Sequence, residues 1–595
     1  MHEEIGPMNA NSSRRLRFLS REAAAGSKFA AVIVAVWLLF FAARETFAQA
    51  EKPKIIHDAE YYILDAQHGE KWEVEDQELD KKLAELRQKF GQPPNIIHVM
   101  WDDTPVGEVG IPFIQKQRGW ETPNINRLAA EGINFTRMYT EPSCTQSRAA
   151  FLTGRHAVRT GMTKVGFPYE YGGLPPSEVT LADVLSKAGY ATAFYGKAHV
   201  GDIEASYLTK RGFDEALWMP YNQATSLFTP QGQAAGLAPA VLFPEMYPKD
   251  PYEMDLGWRP RGFVFALEGT KGGPVREFGR APNNDDYLKL EGEFEKRTLA
   301  FIRKNAAANK PFFVAWWPAL GSFLPSPKKL TTNGGTLAEL LAPLDVRIGV
   351  LTSELKKLGI AENTLVVLMA DNGPMTHNGP SGMIETIYRG GKGDFLEGGV
   401  RVPAMAWWPG VIAPGQTVGD IIHETDLFST FAHLGGATSN IPTDRIIDGV
   451  DQTSLFLKGD GFSRRDYVFI YTGDILAATV KGRYKRVWVA NKAGGLGAAL
   501  FDLYTDPREM EGKLVPMLPA KAMFDQMMAR HEMWMAKFPN TPETRDYPLQ
   551  GLENPRPEIK ALGEPRINGK DLPFNPFDVI KQLKGWEGSE FDQSE

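Results

Sequence analysis

The chain has 595 residues, of which 43% are hydrophobic and 23% charged, a composition typical of a globular protein and not of a fibrous or disordered one. A formal net charge of −7 argues against a nucleic-acid partner, because such a partner is bound through clustered lysine and arginine. The chain contains one cysteine, Cys144, so an intramolecular disulfide is excluded and the fold must rely on its core.

The first 50 residues are typical of an export signal peptide. An uncharged apolar run covers residues 29–43, and Ala48-Gln49-Ala50 offers a cleavage site of small residues. The run follows a basic segment that holds Arg14, Arg15, Arg17, Arg21 and Lys28. The apolar run has 15 residues, whereas a membrane-spanning helix needs about 20. We therefore expect cleavage near Glu51, no stable membrane anchor, and a periplasmic or secreted protein.

The remaining chain divides into four predicted regions. Residues 51–94 form an N-terminal extension with a helix at 75–90 that Gly91 ends. Residues 95–445 form the main domain, and 446–540 form a small α+β subdomain with short strands around 467–471 and 484–489. Residues 541–595 are a tail rich in proline and charge, and residues 220–290, which lack a clear period, are predicted to be substrate-side loops.

Apolar strands alternate with capped helices from Asn95 onward. One helix is predicted between Thr122-Pro123 and Gly132, and another starts at a capping box of Thr180 and Asp183. The predicted strands are 96–101, 190–195, 312–317, 365–370 and 404–408. This order predicts an α/β fold with a large, mostly parallel sheet sandwiched by helices, whose functional residues follow the carboxyl ends of the strands.

Acidic side chains follow two of these strands. Asp102 and Asp103 come directly after strand 96–101, and Asp371-Asn372 comes directly after strand 365–370. Each segment alone is also typical of a helix cap or a turn, and both interpretations can hold together. Three carboxylates and an amide oxygen form a hard-oxygen set, which favours Ca²⁺ or Mg²⁺ over Zn²⁺.

Cys144 follows Pro142-Ser143 and begins a helical segment whose free backbone N–H groups favour an anion such as sulfate. A lone cysteine is by itself more often an inert buried side chain. Residues 144–155, however, read CTQSRAAFLTGR and resemble the signature of the sulfatase family, in which this cysteine is oxidised to formylglycine.

Three further segments resemble the same family in the same order. They are the pair Asp102-Asp103, residues 196–201 with Lys197 and His199, and Asp371-Asn372 followed by Lys392 and residues 397–403. The resemblance covers residues 95–509. It implies an alkaline phosphatase-like fold and an arylsulfatase-type hydrolase that cleaves a sulfate monoester.

The resemblance also assigns roles to residues of this sequence. Arg148 would hold the formylglycine hydrate, one hydroxyl of which attacks sulfur while the other helps to eliminate sulfate. Lys197 and Lys392 would neutralise the sulfate oxygens, and His199 would assist the leaving oxygen. The implied metal is Ca²⁺, with Mg²⁺ as the second choice, and the implied ligands are Asp102, Asp103, Asp371, Asn372 and an oxygen of modified Cys144. The implied partners are a small sulfate ester and, during maturation, a formylglycine-generating enzyme.

The sequence departs from the family pattern in two places. Gln146 stands where the family has proline or alanine, and residues 318–323 lack the histidine that the family commonly has after the strand at 312–317. His377 follows Asp371-Asn372, but a loop histidine is more often solvated and we do not place it in the site. Two alternatives stay open: a phosphonate monoester or phosphodiester hydrolase with the same pocket, and a catalytically silent binding homologue in which Cys144 remains a thiol.

Overall fold

A long helix precedes the sheet. In the computed structural model, α1 (Ala59–Phe90) begins after the N-cap Asp58, whose carboxylate accepts hydrogen bonds from two backbone N–H groups, and ends at Gly91, which has a φ of 73°. The predicted end of this helix is confirmed, but the helix starts earlier than predicted. The first half of this helix lacks a clear apolar stripe, so the sequence pattern did not reveal it. Its start is defined by the cap at Asp58 and by packing against the helix at Leu518–Lys537.

The structure describes residues 54–544 except 167–171, 202, 222–263, 282–283, 321–334, 376–386, 459–461, 490–499 and 513–516, together with 566–567 and 570–571. The predicted signal peptide, His377, and most of the predicted tail therefore lie outside the described residues. Among the described helices, none is long and apolar enough to cross a membrane.

A large mixed sheet contains eleven of the described strands. They are β1 (Asn95–Trp101), β2 (Ile133–Tyr139), β3 (Ala191–Lys197), β4 (Glu215–Met219), β5 (Val264–Thr270), β6 (Arg276–Ala281), β7 (Phe312–Trp317), β8 (Thr364–Ala370), β9 (Arg401–Trp407), β10 (Gln416–Val418) and β11 (Ile422–His423). The order is β10-β2-β9-β8-β1-β7-β3-β4-β5-β6, with β11 also paired to β2.

Parallel pairing dominates the centre of this sheet. Strand β1 pairs in parallel with β7 and β8, and β3 pairs in parallel with β7 and β4. Antiparallel pairs occur where β9 joins β8 and β2, and in the edge strands β4, β5 and β6. The prediction of a mostly parallel sheet is confirmed.

Helices cover the sheet and account for its buried strands. The described helices after α1 are α2 (Pro112–Arg118), α3 (Pro123–Ala130), α4 (Cys144–Thr153), α5 (Ala157–Thr160), α6 (Leu181–Lys187), α7 (Asn284–Ala307), α8 (Gly335–Lys357), α9 (Glu397–Val400), α10 (Asp426–Leu434), α11 (Thr453–Leu457) and α12 (Leu518–Lys537). Helices α4, α6 and α10 form one packed group, and α3, α7 and α8 form another. Every residue of β1, β3, β7, β8 and β9 is buried, as expected for a sheet covered on both faces.

Residues 220–290 contain more regular structure than predicted. Strands β5 and β6 form an antiparallel hairpin at the sheet edge, and α7 begins at Asn284. Glycines at 269, 272, 273 and 279 interrupt the alternation of side chains and hide these strands from a periodicity argument. The prediction of substrate-side loops is therefore wrong for this hairpin and for the start of α7, while residues 222–263 lie outside the described part.

The second sheet is smaller and antiparallel. It consists of β12 (Tyr467–Thr472), β13 (Ile475–Lys481), β14 (Tyr484–Val487) and β15 (Leu500–Asp502) in that order. Helix α12 contacts both β14 and α1. A two-stranded ribbon of β16 (Arg566–Ile567) and β17 (Lys570–Asp571) lies within the predicted tail.

Candidate active site

The carboxyl ends of β1 and β8 bring the predicted acidic residues together. The two strands are parallel neighbours in which Trp101 faces Ala370, and the N–H of Asp371 donates to the carbonyl of Trp101 at 2.9 Å. The next residues along both strands are therefore adjacent. Asp102, Asp103, Asp371 and Asn372 are all fully buried.

Polar contacts fix these four residues in one cluster. The backbone N–H of Asp103 donates to Asp371 Oδ1 at 3.1 Å, and the side-chain amide of Asn372 donates to Asp103 Oδ1 at 2.6 Å. Asp103 has a φ of 45°, a left-handed conformation that is uncommon for a residue with a side chain and is concentrated at functional sites. Hydrogen bonds from Asn372 and Lys392 hold Asp103 in this strained conformation.

The oxygen donors fit a hard divalent cation. Asn372 Oδ1 is buried and has no hydrogen-bond partner among the described residues, while the amide nitrogen of the same side chain contacts the Asp103 carboxylate. A buried amide oxygen without a donor indicates a missing ligand, and carboxylate and amide oxygens are the ligands that Ca²⁺ and Mg²⁺ prefer. The residues present therefore fit the metal that the sequence implied.

Arg148, from α4, connects the acidic residues to β3. Its Nη2 lies 2.8 Å from both Asp102 Oδ1 and Asp371 Oδ2, and its Nη1 donates to the carbonyl of Lys197 at 2.7 Å. Lys197 Nζ lies 2.5 Å from Asp102 Oδ1. Lys392 Nζ donates to Asp103 Oδ1 at 2.7 Å. Three cationic side chains thus face three carboxylates in a buried site.

The carboxylates differ in their affinity for protons. Burial raises the pKa of Asp371 well above its usual range, and the charges of Asp102 and Asp103 add to this effect while Arg148 opposes it. Burial would also raise the pKa of Asp102, but Lys197 and Arg148 outweigh it and hold that pKa below its usual range. Asp371 therefore favours a further positive charge in the site.

Cys144 occupies the first position of α4 and is fully buried. The N–H of Gly393, the residue after Lys392, donates to the carbonyl of Pro142, two residues before Cys144, at 2.7 Å. The side chain of the N-cap Ser143 makes no capping hydrogen bond to the helix. Cys144 therefore lies at a helix N-terminus, next to the segment that carries Lys392, an environment that favours an anion.

Gln146 is held within the same turn. Its Oε1 accepts from Ser143 Oγ at 2.5 Å, and its Nε2 donates to the carbonyl of Thr163 at 2.8 Å. The residue that departs from the family pattern thus ties the start of α4 to the chain that follows the helix.

His199 is buried after β3 and has a φ of 56°. Burial lowers its pKa far below the usual value, and the charges of Lys197 and Arg148 lower it further. Nε2 lies 2.7 Å from the carbonyl of Gly166, so the neutral ring donates from Nε2. Nδ1 has no hydrogen-bond partner in the described part of the chain and remains an acceptor.

The structure also reveals a backbone contribution that the sequence did not indicate. The N–H of Asp102 donates to the carbonyl of Leu320 at 3.1 Å, so the segment after β7 reaches the site. Residues 318–320 contain no histidine, and Gly321 to Phe323 lie outside the described residues. His377 also lies outside them.

Glycines position Lys392 beside this cluster. The N–H of Gly373 donates to the carbonyl of Gly399 at 2.9 Å, and the N–H of Lys392 donates to the carbonyl of Pro374 at 2.8 Å. A Cβ on Gly373 would come within 1.7 Å of the carbonyl oxygen of Gly398. The glycines of residues 390–399 therefore allow two backbone segments to approach closely, and this approach places Lys392 beside the acidic residues.

The sequence is similar to those of sulfatases. A model of the sulfatase family matches residues 94–437. The chain is 33% identical over 434 residues to the steryl-sulfatase of Rattus norvegicus, with 65% of this chain and 74% of that protein covered. It is 36% identical over 392 residues to arylsulfatase A of Homo sapiens, with 64% and 71% covered.

A solved structure agrees with these relatives. The PsFucS1 sulfatase from Pseudoalteromonas sp. has a TM-score of 0.69 and 30% sequence identity, and the similarity covers 78% of this chain and 95% of that one. The family match spans β1 to α10 and contains all nine predicted site residues. The chain therefore belongs to the sulfatase family and is a sulfuric ester hydrolase.

Proposed function

We propose that the chain hydrolyses the sulfate monoester of an aromatic or small aliphatic alcohol, using a formylglycine made from Cys144 and a divalent cation, Ca²⁺ before Mg²⁺. One observation carries the proposal: Arg148, in the helix that begins at Cys144, bridges Asp102 and Asp371, and the segment that holds Lys392 is hydrogen-bonded to the residues just before that helix. The acidic, cationic and nucleophilic groups of a sulfate-ester site thus occupy one buried volume.

The cation would be held by Asp102, Asp103, Asp371 and Asn372 together with an oxygen of the modified Cys144. When bound, it would draw electron density from the sulfate group and make its sulfur more electrophilic. The unpartnered Oδ1 of Asn372 supports this ligand set.

The formylglycine hydrate would supply the oxygen nucleophile. Arg148 would keep that residue oriented, because its guanidinium group is fixed at three acceptors. Lys197 and Lys392 would bind the sulfate oxygens through their ammonium groups as charge moves from the ester oxygen to sulfate.

The neutral ring of His199 is suited to accept a proton at Nδ1, since Nε2–H is engaged with Gly166. We assign it to proton transfer: Nδ1 would take the proton of the attacking hydroxyl and pass it to the departing alcohol oxygen.

Export is part of the proposal. The basic segment, the apolar run and the small-residue site in residues 1–50 support a periplasmic or secreted enzyme. A formylglycine-generating enzyme would act on Cys144 before α4 is buried, because the cysteine has no exposed surface in the folded chain.

The first test is mass spectrometry of the tryptic peptide 138–148 from protein made in its own host. We expect loss of two hydrogens and replacement of sulfur by oxygen at Cys144. The matched variant Gln146→Pro restores the family pattern and should keep or raise the converted fraction, because the N–H of this first-turn residue is free of helical hydrogen bonds. An unmodified thiol in fully active protein would contradict the proposed nucleophile.

Parallel kinetics on 4-nitrophenyl sulfate and 4-nitrophenyl phosphate test the substrate class. We expect the sulfate ester to have the larger kcat/KM and Cys144→Ala to abolish its turnover. Faster turnover of the phosphate ester, or of a phosphonate or phosphodiester, would instead favour a phosphoryl-group hydrolase. Activity that survives Cys144→Ala would exclude nucleophilic catalysis by residue 144.

A further inference from the structure

A second buried cluster is formed by residues that come just before and just after α4 in the sequence, together with one residue of β11. Glu141 precedes this helix, His156 follows it, and His423 ends β11. One carboxylate oxygen of Glu141 and one nitrogen of each histidine lie within 4.8 Å of one another. All three residues are at most 2% exposed. The proposed catalytic roles do not use any of them.

Hydrogen bonds and packing hold the cluster in shape. His156 Nδ1 lies 2.8 Å from Glu141 Oε1, which also accepts from the N–H of Ala157 at 3.1 Å. The rings of His156 and His423 have their centroids 4.9 Å apart. His423 Nδ1 lies 2.9 Å from Thr425 Oγ1. The donor atoms are thus preorganised with little freedom to move.

Two buried polar atoms of this region lack partners. His156 Nε2 and Glu424 Oε2 have no hydrogen bond to any described residue. Glu424 joins the cluster through its other oxygen, which accepts from the N–H of Glu141 at 2.8 Å. Buried polar atoms are seldom left unpaired, so two of them together indicate a ligand.

The charges point to a cation. The nearby carboxylates of Asp448 and Asp426 each pair with an arginine, Arg159 and Arg465, at 2.7 Å. Over the described ranges, no lysine or arginine forms an ion pair with Glu141 or Glu424, and the sole ionic partner of Glu141 is His156. The buried carboxyl group of Glu424 has no ion-pair partner among the described residues, which makes its ionisation costly, and a metal bound beside it would lower this cost.

We propose that Glu141, His156 and His423 bind a late first-row divalent ion such as Zn²⁺. Two imidazoles and one carboxylate form the nitrogen and oxygen set that suits such an ion, whereas the oxygen-only donors at the end of β1 suit Ca²⁺. Because its ligands flank α4 on both sides, the ion would clamp the helix that carries Cys144 and Arg148.

The test uses the full-length exported protein without a histidine tag. The protein is stripped of metal with a chelator, loaded with saturating Ca²⁺, and titrated with Co²⁺, whose visible absorption reports imidazole coordination. We expect one equivalent of Co²⁺ with such bands, displacement of Co²⁺ by Zn²⁺, and a higher thermal midpoint with Zn²⁺. Wild-type protein that binds no Co²⁺ in excess of Ca²⁺ would overturn the proposal, whatever the variants do.

Variants locate the ion. His156→Gln and His423→Gln should lose the Co²⁺ bands, and Glu141→Gln should weaken binding at least tenfold, with circular dichroism confirming the fold. His433→Gln, which changes a histidine that pairs with Asp451 and Asp80 outside this cluster, is the matched control and should keep the full signal. Equal Co²⁺ spectra in His156→Gln, His423→Gln and wild type would place the ion elsewhere and refute the assignment.

Discussion

Arg148 is the residue at which the charges of the active site meet. Its guanidinium group contacts Asp102, Asp371 and the carbonyl of Lys197, and it lies 5.2 Å from the centre of the Trp317 ring. A planar fork with several donors can serve these acceptors at once, whereas an ammonium group is a point charge. The planar shape of the guanidinium group, in addition to its positive charge, therefore explains why an arginine occupies this position.

Arg148→Lys should lower kcat for the sulfate ester by about 100-fold, since one lysine cannot hold both carboxylates and the carbonyl of Lys197. Steady-state kinetics after a circular dichroism check measures this loss. Arg155→Lys is the control from the same segment, because Arg155 pairs with Glu178 and the carbonyl of Ile446 away from the site. A kcat near the wild-type value in Arg148→Lys would contradict the bridging role.

Sequence position predicted some site residues on physical grounds and others only by resemblance. Asp102 and Asp371 follow adjacent parallel strands, and strand order alone makes their meeting plausible. Arg148 lies in a helix and Lys392 in an irregular segment, and no periodicity points either side chain toward the acids. The left-handed backbone at His199 and the cluster of Glu141 with His423 depend on tertiary packing between segments far apart in the chain.

At the scale of elements, the end of β8 and the glycine-rich segment at 390–399 form one packed unit. Backbone contacts join Gly373 to Gly399 and Lys392 to Pro374. The closeness of these backbones leaves no room for a side chain at Gly373. The packing of these two segments thus determines where the ammonium group of Lys392 lies.

Gly373→Ala should destabilise the protein by about 3 kcal/mol and reduce activity, because the new Cβ would force two backbone segments apart. Gly292→Ala in α7 is the opposite case: a Cβ there meets nothing within 4 Å, so the variant should gain about 0.5 to 1 kcal/mol from helix propensity. Urea unfolding followed by tryptophan fluorescence measures both. Equal stabilities of the two variants would show that the contact at Gly373 is not tight.

The elements themselves were predictable to different degrees. The strand at 312–317 and the capping box of Thr180 with Asp183 agree with the structure, since continuous apolar runs and cap residues act locally. The edge hairpin of β5 and β6 was not predicted, because its glycines hide the pattern and pairing with β4 holds it. The first half of α1 escaped prediction because its contacts are with distant parts of the chain.

At the scale of the whole molecule, α1 connects the catalytic sheet to the C-terminal sheet. Arg464 pairs with Glu75 and Asp76, and the Asp58 carboxylate accepts from the Tyr467 hydroxyl at 2.8 Å. Helix α12 packs against the same helix, and Leu79 and Leu83 of α1 belong to the main hydrophobic core together with the strands of the large sheet. The N-terminal extension therefore stabilises the arrangement of both sheets, and its ion pairs should make the stability depend on pH.

His433 is the clearest titrating link between α1 and the catalytic region. Its Nδ1 lies 2.6 Å from Asp451 and its Nε2 lies 3.0 Å from Asp80 on α1. Burial alone would lower its pKa, but the two carboxylates outweigh burial and raise the pKa from 6.5 to about 9. The folded state thus holds this proton more tightly than the unfolded state. The resulting stability is fully present below pH 6.5 and is lost as the pH rises through about 9.

Asp80→Asn should therefore lower the thermal midpoint at pH 6 and have little effect at pH 10, where His433 is neutral in both proteins. The Asp80 side chain is 70% exposed; solvent screening therefore limits the expected loss at pH 6 to about 1 kcal/mol. Glu70→Gln removes an exposed charge from the same helix and should shift the midpoint equally at both pH values. Calorimetry at the two pH values measures the difference, and an Asp80→Asn effect that persists at pH 10 would exclude a charged His433 as its cause.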